Sequence, residues 1–161
     1  MIITHNTGNE MREAAAVMLA ENIMSLNPKF RIDVRNVEWK DYVVKIRDFQ
    51  YPMFLSGWGA DYADPHNFVY PFMHSNGYYG KFMALQNDKI DALCDAGIEN
   101  VDPNKRAQLY SQLQDIWHTD AIGIPLYQQI VVRAYRDYVH GFVPNAMFTD
   151  DNEIIKRLYK K

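Results

Sequence analysis

The feature that most constrains this 161-residue chain is a change of apolar rhythm between Met11 and Val37. Met11, Ala15, Met18, Leu19, Ile23 and Leu26 recur at the spacing of one helical face. Thr7-x-x-Glu10 reads as a capping box ahead of them, and Asn27-Pro28 stops the run, so a helix is expected over about 9–26. Beyond that stop the period drops to two. Phe30, Ile32 and Val34 point one way and Arg31, Asp33 and Arg35 the other, as in a half-buried strand over 30–37.

The alternation continues. A short helix is expected over 39–48, with Tyr42, Val43 and Ile46 inward, and then a continuous apolar strand from Met53 to Trp58, covered on both faces. A helix over 88–99 turns Ile90, Leu93, Cys94 and Ile98 inward. Asp102-Pro103 opens another, whose stripe is Arg106, Leu109, Tyr110, Leu113, Ile116 and Trp117. Between them, 66–86 is aromatic and irregular, with a turn at Asn76-Gly77. Ile124 to Tyr135 is a β-prone run begun near Pro125, and Glu153 to Leu158 suggests a short terminal helix. Strands alternating with helices predict an α/β domain, a mixed β-sheet flanked by helices.

Composition narrows the function. With 48% hydrophobic residues, including 11 Tyr, 8 Phe and 3 Trp, the chain can bury a core. The formal net charge is −3 with no basic stripe, so no nucleic-acid partner is expected. The longest apolar run, Ala14 to Ala20, is far below the roughly 20 residues that span a bilayer. A lone Cys94 forms no intrachain disulfide and no paired-cysteine metal knuckle. The amino terminus lacks the basic-then-apolar pattern of a signal peptide, so an exported protein would carry its targeting segment outside this chain.

Catalytic constellations are missing from the pattern. None of His5, His66, His74, His118 and His140 is paired at metal-ligand spacing, and each reads as a surface or structural histidine. There is no GxSxG elbow, P-loop or GxGxxG, and Cys94 lies on an apolar helix face as a small inert hydrophobe. Neither enzymatic activity nor a cofactor or metal is expected.

What stands out is Gly57-Trp58-Gly59-Ala60-Asp61-Tyr62-Ala63-Asp64-Pro65, which breaks an apolar strand into a loop. Its two flanking glycines admit close approach of another backbone. Asp61 and Asp64 read as an acid/base pair, as calcium ligands, or separately. The EF-hand pattern is absent, and Asp64 reads best as a cap on the segment begun by Pro65. Asp61 follows a strand end where a carboxylate can meet a cationic ligand group in a sheltered cleft. Trp58 is either a core indole or the wall of a pocket, and the glycines beside it favour the wall.

Several segments together resemble the C-terminal half of family 5 extracellular solute-binding proteins, the dipeptide and oligopeptide receptors of bacterial ABC importers. They are Gly57 to Phe68, Asp91-Ala92-Leu93, Asp102 to Tyr110, Ile124-Pro125-Leu126-Tyr127 and Gly141-Phe142, in order, over most of the chain. The resemblance implies one lobe of a bilobal, type II periplasmic-binding-protein-like fold that closes on its solute like a hinge. It implies residues 1–143 as the C-terminal lobe and 144–161 as a tail that packs on the N-terminal lobe, which this chain lacks. Its expected partners are a small peptide or other solute, that other lobe and the importer's permease subunits, in the periplasm or at an extracellular surface.

The resemblance also assigns roles within the loop. An extended peptide pairs its backbone with Gly57 to Gly59, Trp58 and Tyr62 line the site, and Asp61 holds the peptide's ammonium. A charge-assisted hydrogen bond contributes roughly 1.5–3 kcal/mol. A buried ammonium left unpaired costs about 3–5 kcal/mol, so ligands without a free amine would be rejected. Some oligopeptide binders carry an arginine two residues before the first glycine, available to a peptide carboxylate. Here that position is Leu55. Relatives that carry oligosaccharides, nickel chelates or other small molecules share the fold, and a sugar would stack on Trp58, Tyr62 and Tyr78.

Overall fold

The computed structural model describes residues 1–128, 130, 132, 134–143 and 156–161. The strand β1 (Ile2–Asn6) lies at the centre of a three-stranded parallel sheet in the order β2-β1-β3, flanked by β2 (Asp33–Val37) and β3 (Met53–Phe54). Ile2 pairs with Asp33 at one edge of β1, and Ile3 with Met53 at the other. The connecting helices are α1 (Glu10–Leu26) and α2 (Trp39–Arg47). Because the two crossovers run in opposite directions across β1, right-handed connection sets α1 and α2 on opposite faces. A second layer follows: α3 (His66–Met73), α4 (Tyr78–Phe82), α5 (Asp88–Glu99) and α6 (Pro103–Thr119). Near the chain's end, β4 (Val139–His140) pairs antiparallel with β5 (Tyr159–Lys160).

Two clusters hold these layers. Ile3, Ala16, Ala20 and Leu55 join the sheet to α1, with Ile32, Val34 and Met53 packed around them. Met73, Ile90, Cys94, Tyr110 and Leu113 join α3, α5 and α6. Ile90 and Leu113 are fully buried, and each such side chain contributes roughly 1.5–3 kcal/mol of transfer free energy. The two layers meet through Tyr79 of α4, whose hydroxyl contacts Ser56 Oγ and donates to the Gly57 carbonyl at 3.0 Å.

Several sequence expectations change here. Thr7 does not cap α1, because its backbone N–H is still bonded to the Val37 carbonyl at 2.9 Å as the chain leaves β1. Gly8, at φ 75°, then turns the chain, and Asn9 is the cap, accepting from the Arg12 N–H at 3.0 Å. The inward face of α1 is Ala16 and Ala20, while Met11, Met18 and Leu26 are exposed. Small side chains let this helix lie close on the sheet. On α5 Gly97 joins Ile90 and Cys94 on the inward face, against the Tyr110 ring, and Ile98 faces out.

Both flanking strands are shorter than their apolar runs. Phe30 is exposed in a turn that bonds its N–H to Asn27, so β2 begins at Asp33. The Met53 to Trp58 run leaves the sheet after Leu55, whose carbonyl is taken by the Tyr42 hydroxyl at 2.6 Å instead of a neighbouring strand. The stretch expected to be irregular holds α3 and α4, masked in the sequence by Pro71 inside α3. None of the described residues of Ile124 to Tyr135 belongs to a strand. Ile130 and Val132 are nearly fully exposed. Residues 144–155 lie outside the described residues, and with them the start of the expected terminal helix; Lys156 and Arg157 are in a turn.

Candidate functional site

The loop from Leu55 to Pro65 departs from the carboxyl end of β3, and α1 starts just beyond the carboxyl end of β1 beside it. In open parallel sheets this is the edge where ligands bind. From Ser56 to Asp61 the main chain makes no backbone–backbone hydrogen bond among the described residues. Side chains hold it in place instead. Tyr79 fixes the Gly57 carbonyl, and the Trp58 indole N–H donates to Asn67 Oδ1 at 2.9 Å. Asn67 is buried at the first turn of α3, so it anchors the ring from below.

Trp58 is half-buried. Its ring meets Phe72 and Tyr79 edge-on, at centroid distances of 6.2 and 6.1 Å, and lies tilted against Tyr78 at 6.1 Å. A narrow crevice beside it is lined by Trp39, Val43, Ile46, Ser56, Tyr78 and Tyr79. Burial pushes the Tyr79 phenol up from its ordinary value, partly offset by its bond to Ser56 and by the charge of Arg12. It therefore serves as a fixed neutral donor.

Gly57 and Gly59 are exposed. A side chain on Gly59 would meet open space, whereas one on Gly57 would stand 3.0 Å from the Arg12 guanidinium. Asp61 and Tyr62 are exposed as well. Among the described residues Asp61 has no hydrogen bond or ion pair, so its carboxylate is uncommitted, and this chain alone does not form the sheltered cleft expected around it.

Asp64 has a different environment. Its Oδ1 accepts the His66 N–H at 2.8 Å, the cap expected for the segment begun by Pro65. It also accepts Arg106 Nη2 at 2.7 Å, and Arg106 Nη1 donates to the Gly97 carbonyl at 2.8 Å. Arg106 thus ties the end of the loop to α6 and to the last turn of α5, whose terminal carbonyls lack helical partners. An open groove of about 500 Å³ runs along α6 from Pro103 to Gln114 opposite Pro65. It contains none of Gly57, Trp58, Gly59, Asp61 or Tyr62, and its one charge, Arg106, is already committed.

Among the described residues no three His, Cys, Asp or Glu side chains gather as metal ligands. Cys94 is fully buried and its thiol is pushed up to about 12, chiefly by burial and then by Asp91 and Asp95. His74 is buried, its Nδ1 accepting the Asn76 N–H at 2.9 Å. Sequence reasoning missed the supports of the loop: Asn67, Tyr79, Arg106 as partner of Asp64, and Arg12 at Gly57. The Asn67 and Tyr79 contacts depend on α3 and α4, whose existence the proline and aromatic run concealed.

A small parallel sheet with helices on both faces, and a glycine-flanked open loop at its carboxyl edge, is the architecture of a ligand-binding lobe of the periplasmic-binding-protein class. The chain superimposes on Haemophilus influenzae OppA, solved in complex with RPPGFSPFR, with a TM-score of 0.78 and 26% identity, over 99% of this chain and 30% of that one. Residues 1–80 match the family described as bacterial extracellular solute-binding proteins, family 5 Middle, and the chain belongs to the family 5 solute-binding proteins. It is 30% identical over 135 residues to di/tripeptide-binding protein 4 of Pseudomonas aeruginosa strain UCBPP-PA14, covering 83% of this chain and 25% of that protein. It is 31% identical over 135 residues to heme-binding protein A of Haemophilus influenzae, covering 82% of this chain and 25% of that protein. The chain therefore spans about a quarter of the length of these curated relatives.

Proposed function

We propose that this chain supplies the C-terminal lobe of a peptide receptor serving a bacterial ABC importer, in the periplasm or on the outer cell surface. The observation that carries the reading is the main chain from Ser56 to Asp61 at the edge of the sheet, which has no backbone partner among the described residues. An extended peptide laid along Gly57 to Gly59 would find donors and acceptors without a backbone partner in this lobe, and backbone pairing gives affinity without reading side chains. Asp61, exposed and uncommitted, would receive the peptide's ammonium. Trp58 and Tyr62 would form the wall. The second lobe would close over them, excluding water and raising the value of the ion pair. Residues 144–161 would pack against that lobe, and the permease subunits would engage the closed pair.

The test uses the intact two-lobed receptor. Asp61→Ala should weaken binding of a short peptide at least about tenfold, the loss expected for one charge-assisted bond. Unchanged affinity would remove Asp61 from the site. A second reading, a non-peptide solute, is favoured by the likeness to a heme-binding relative and by the aromatic surround of Trp58. A thermal-shift screen of the same receptor against peptides, heme and oligosaccharides separates the two.

A further inference from the structure

We propose that Tyr79 is a positioning residue for ligand capture: its hydroxyl, oriented by Ser56, holds the main chain of Gly57 to Gly59 in the shape that a ligand backbone pairs with. The inference rests on the peptide reading above and deepens it, from the groups that meet the ligand to what sets their geometry. Leu55 is the last residue before the loop to bond the sheet through its main chain, its N–H donating to the Thr4 carbonyl at 2.9 Å. Beyond it two phenols take over from β1. Tyr42 donates to the Leu55 carbonyl at 2.6 Å, and Tyr79 to the Gly57 carbonyl at 3.0 Å. A carbonyl only accepts, so the single Tyr79 proton points at Gly57, and Ser56 is the donor in its contact with Tyr79 Oη. The order Ser56 to Tyr79 to Gly57 is therefore fixed, and each bond polarises the next.

The position of this anchor follows from the sequence of the loop. Glycine loses more conformational freedom than any other residue when it is held in one shape, so a support on the Gly57 carbonyl acts where the main chain is costliest to order. Tyr79 is itself held rigidly. Its ring is buried and stacks on Phe72 with centroids 4.7 Å apart, and it meets Trp58 and Tyr78 edge-on at 6.1 and 5.0 Å. Its backbone is fixed by the seat of α4 on the end of α3. A side chain on Gly80 would run into the His74 carbonyl and one on Gly77 into the Tyr70 carbonyl, so both glycines are needed for this close approach. Burial pushes the phenol up, which keeps it a donor near neutrality. The hydroxyl thus reaches the loop as a preorganised post, and less order has to be imposed when a ligand arrives. Asn67 holds the Trp58 ring separately, so ring and main chain have independent supports.

The test is Tyr79→Phe in the intact receptor, which removes the hydroxyl and keeps the ring. Calorimetry with trialanine should show affinity lower by about fivefold, the loss expected for one hydrogen bond. Trialanine methylated on both peptide nitrogens keeps its charged ends but has no backbone N–H to pair, so its weaker binding should be the same in parent and variant. The preference for trialanine over this analogue therefore shrinks in Tyr79→Phe, which a general loss of stability would not produce. Hydrogen exchange of the ligand-free receptor, read by mass spectrometry, should be faster over residues 56–61 in the variant and unchanged in α1. Ser56→Ala should act in the same direction, more weakly, and should add nothing in the Tyr79→Phe background. It also serves where Tyr79→Phe folds poorly. Equal losses for both ligands, or unchanged exchange over the loop, overturns the positioning role and leaves the peptide reading in place. Failure of the parent to bind either ligand overturns the peptide reading; faster loop exchange in the variant would then make Tyr79 a support of the fold alone, and its role in capture would fall as well.

Discussion

The indole N–H of Trp58 donates to the buried Oδ1 of Asn67 at 2.9 Å, so a residue of the glycine-flanked loop is held by the helix that follows it. Asn67→Ala would leave that N–H without its partner, at a cost of about 1–3 kcal/mol. Urea unfolding should show the loss, and Trp58 fluorescence should shift to the red as the ring is released. An unchanged midpoint with an unchanged spectrum would mean that Phe72 and Tyr79 alone hold the ring.

The Asp64–Arg106 pair closes the other end of the loop. Asp64→Asn keeps the acceptor for the His66 N–H and removes the charge, so it should cost only about 1 kcal/mol for a partly exposed pair. Arg106→Ala also releases the Gly97 carbonyl and the Tyr110 ring, which the guanidinium covers at 5.3 Å, and should cost about 2 kcal/mol. The two substitutions share one contact, so a double-mutant cycle of unfolding free energies should be non-additive.

The α/β plan was legible because periodicity reports burial of one face. The helix over 9–26 carried a stripe and a stop and the helix after Asp102-Pro103 a cap and a stripe, and Asp102 caps α6 as its sequence implied, accepting from the Asn104 N–H at 2.9 Å. Periodicity failed where packing, not pattern, decides. The choice of Ala16 and Ala20 over Met11 and Met18 as the inward face of α1 depends on how closely a helix can approach the sheet. The early end of β3 depends on the Tyr42 hydroxyl capturing the Leu55 carbonyl from 13 residues upstream. Within the loop, the glycine spacing pointed to accessible main chain, and Gly57 and Gly59 are exposed. The approach of Arg12 to Gly57 was not legible, since a cation between two glutamates in a helix's first turn looks like an ordinary surface charge.

Cys94 should resist alkylation in the native state. The thiol is fully buried and raised to about 12, so both access and thiolate fraction are low near neutrality. Iodoacetamide labelling followed by mass spectrometry should give no adduct until denaturant is added. Rapid labelling of folded protein would contradict the packing of α5 on α6.

His66 predicts a loss of stability on mild acidification. Its pKa is lowered from 6.5, mainly by burial and despite the attraction of Asp64. Below about 6.5 the unfolded chain takes up a proton that the folded one resists, so the unfolded state binds more protons and stability falls as pH falls. Its Nδ1 is buried without a hydrogen-bond partner among the described residues, which fits a neutral ring. Thermal unfolding from pH 7.5 down to pH 5.5 should show a smaller decline in His66→Gln than in the parent; parallel declines would exclude this histidine as the source.

The proposed receptor holds a peptide along the main chain of Gly57 to Gly59, which has no backbone partner among the described residues, with the peptide's ammonium on Asp61. This arrangement is tested most directly by calorimetric titration of the intact receptor with one short peptide and its N-acetylated form. Acetylation removes the charge and leaves the backbone, so affinity should fall by about a hundredfold in the parent and by little in Asp61→Asn, whose affinity is already reduced. Equal affinity of the parent receptor for the two ligands would contradict the account.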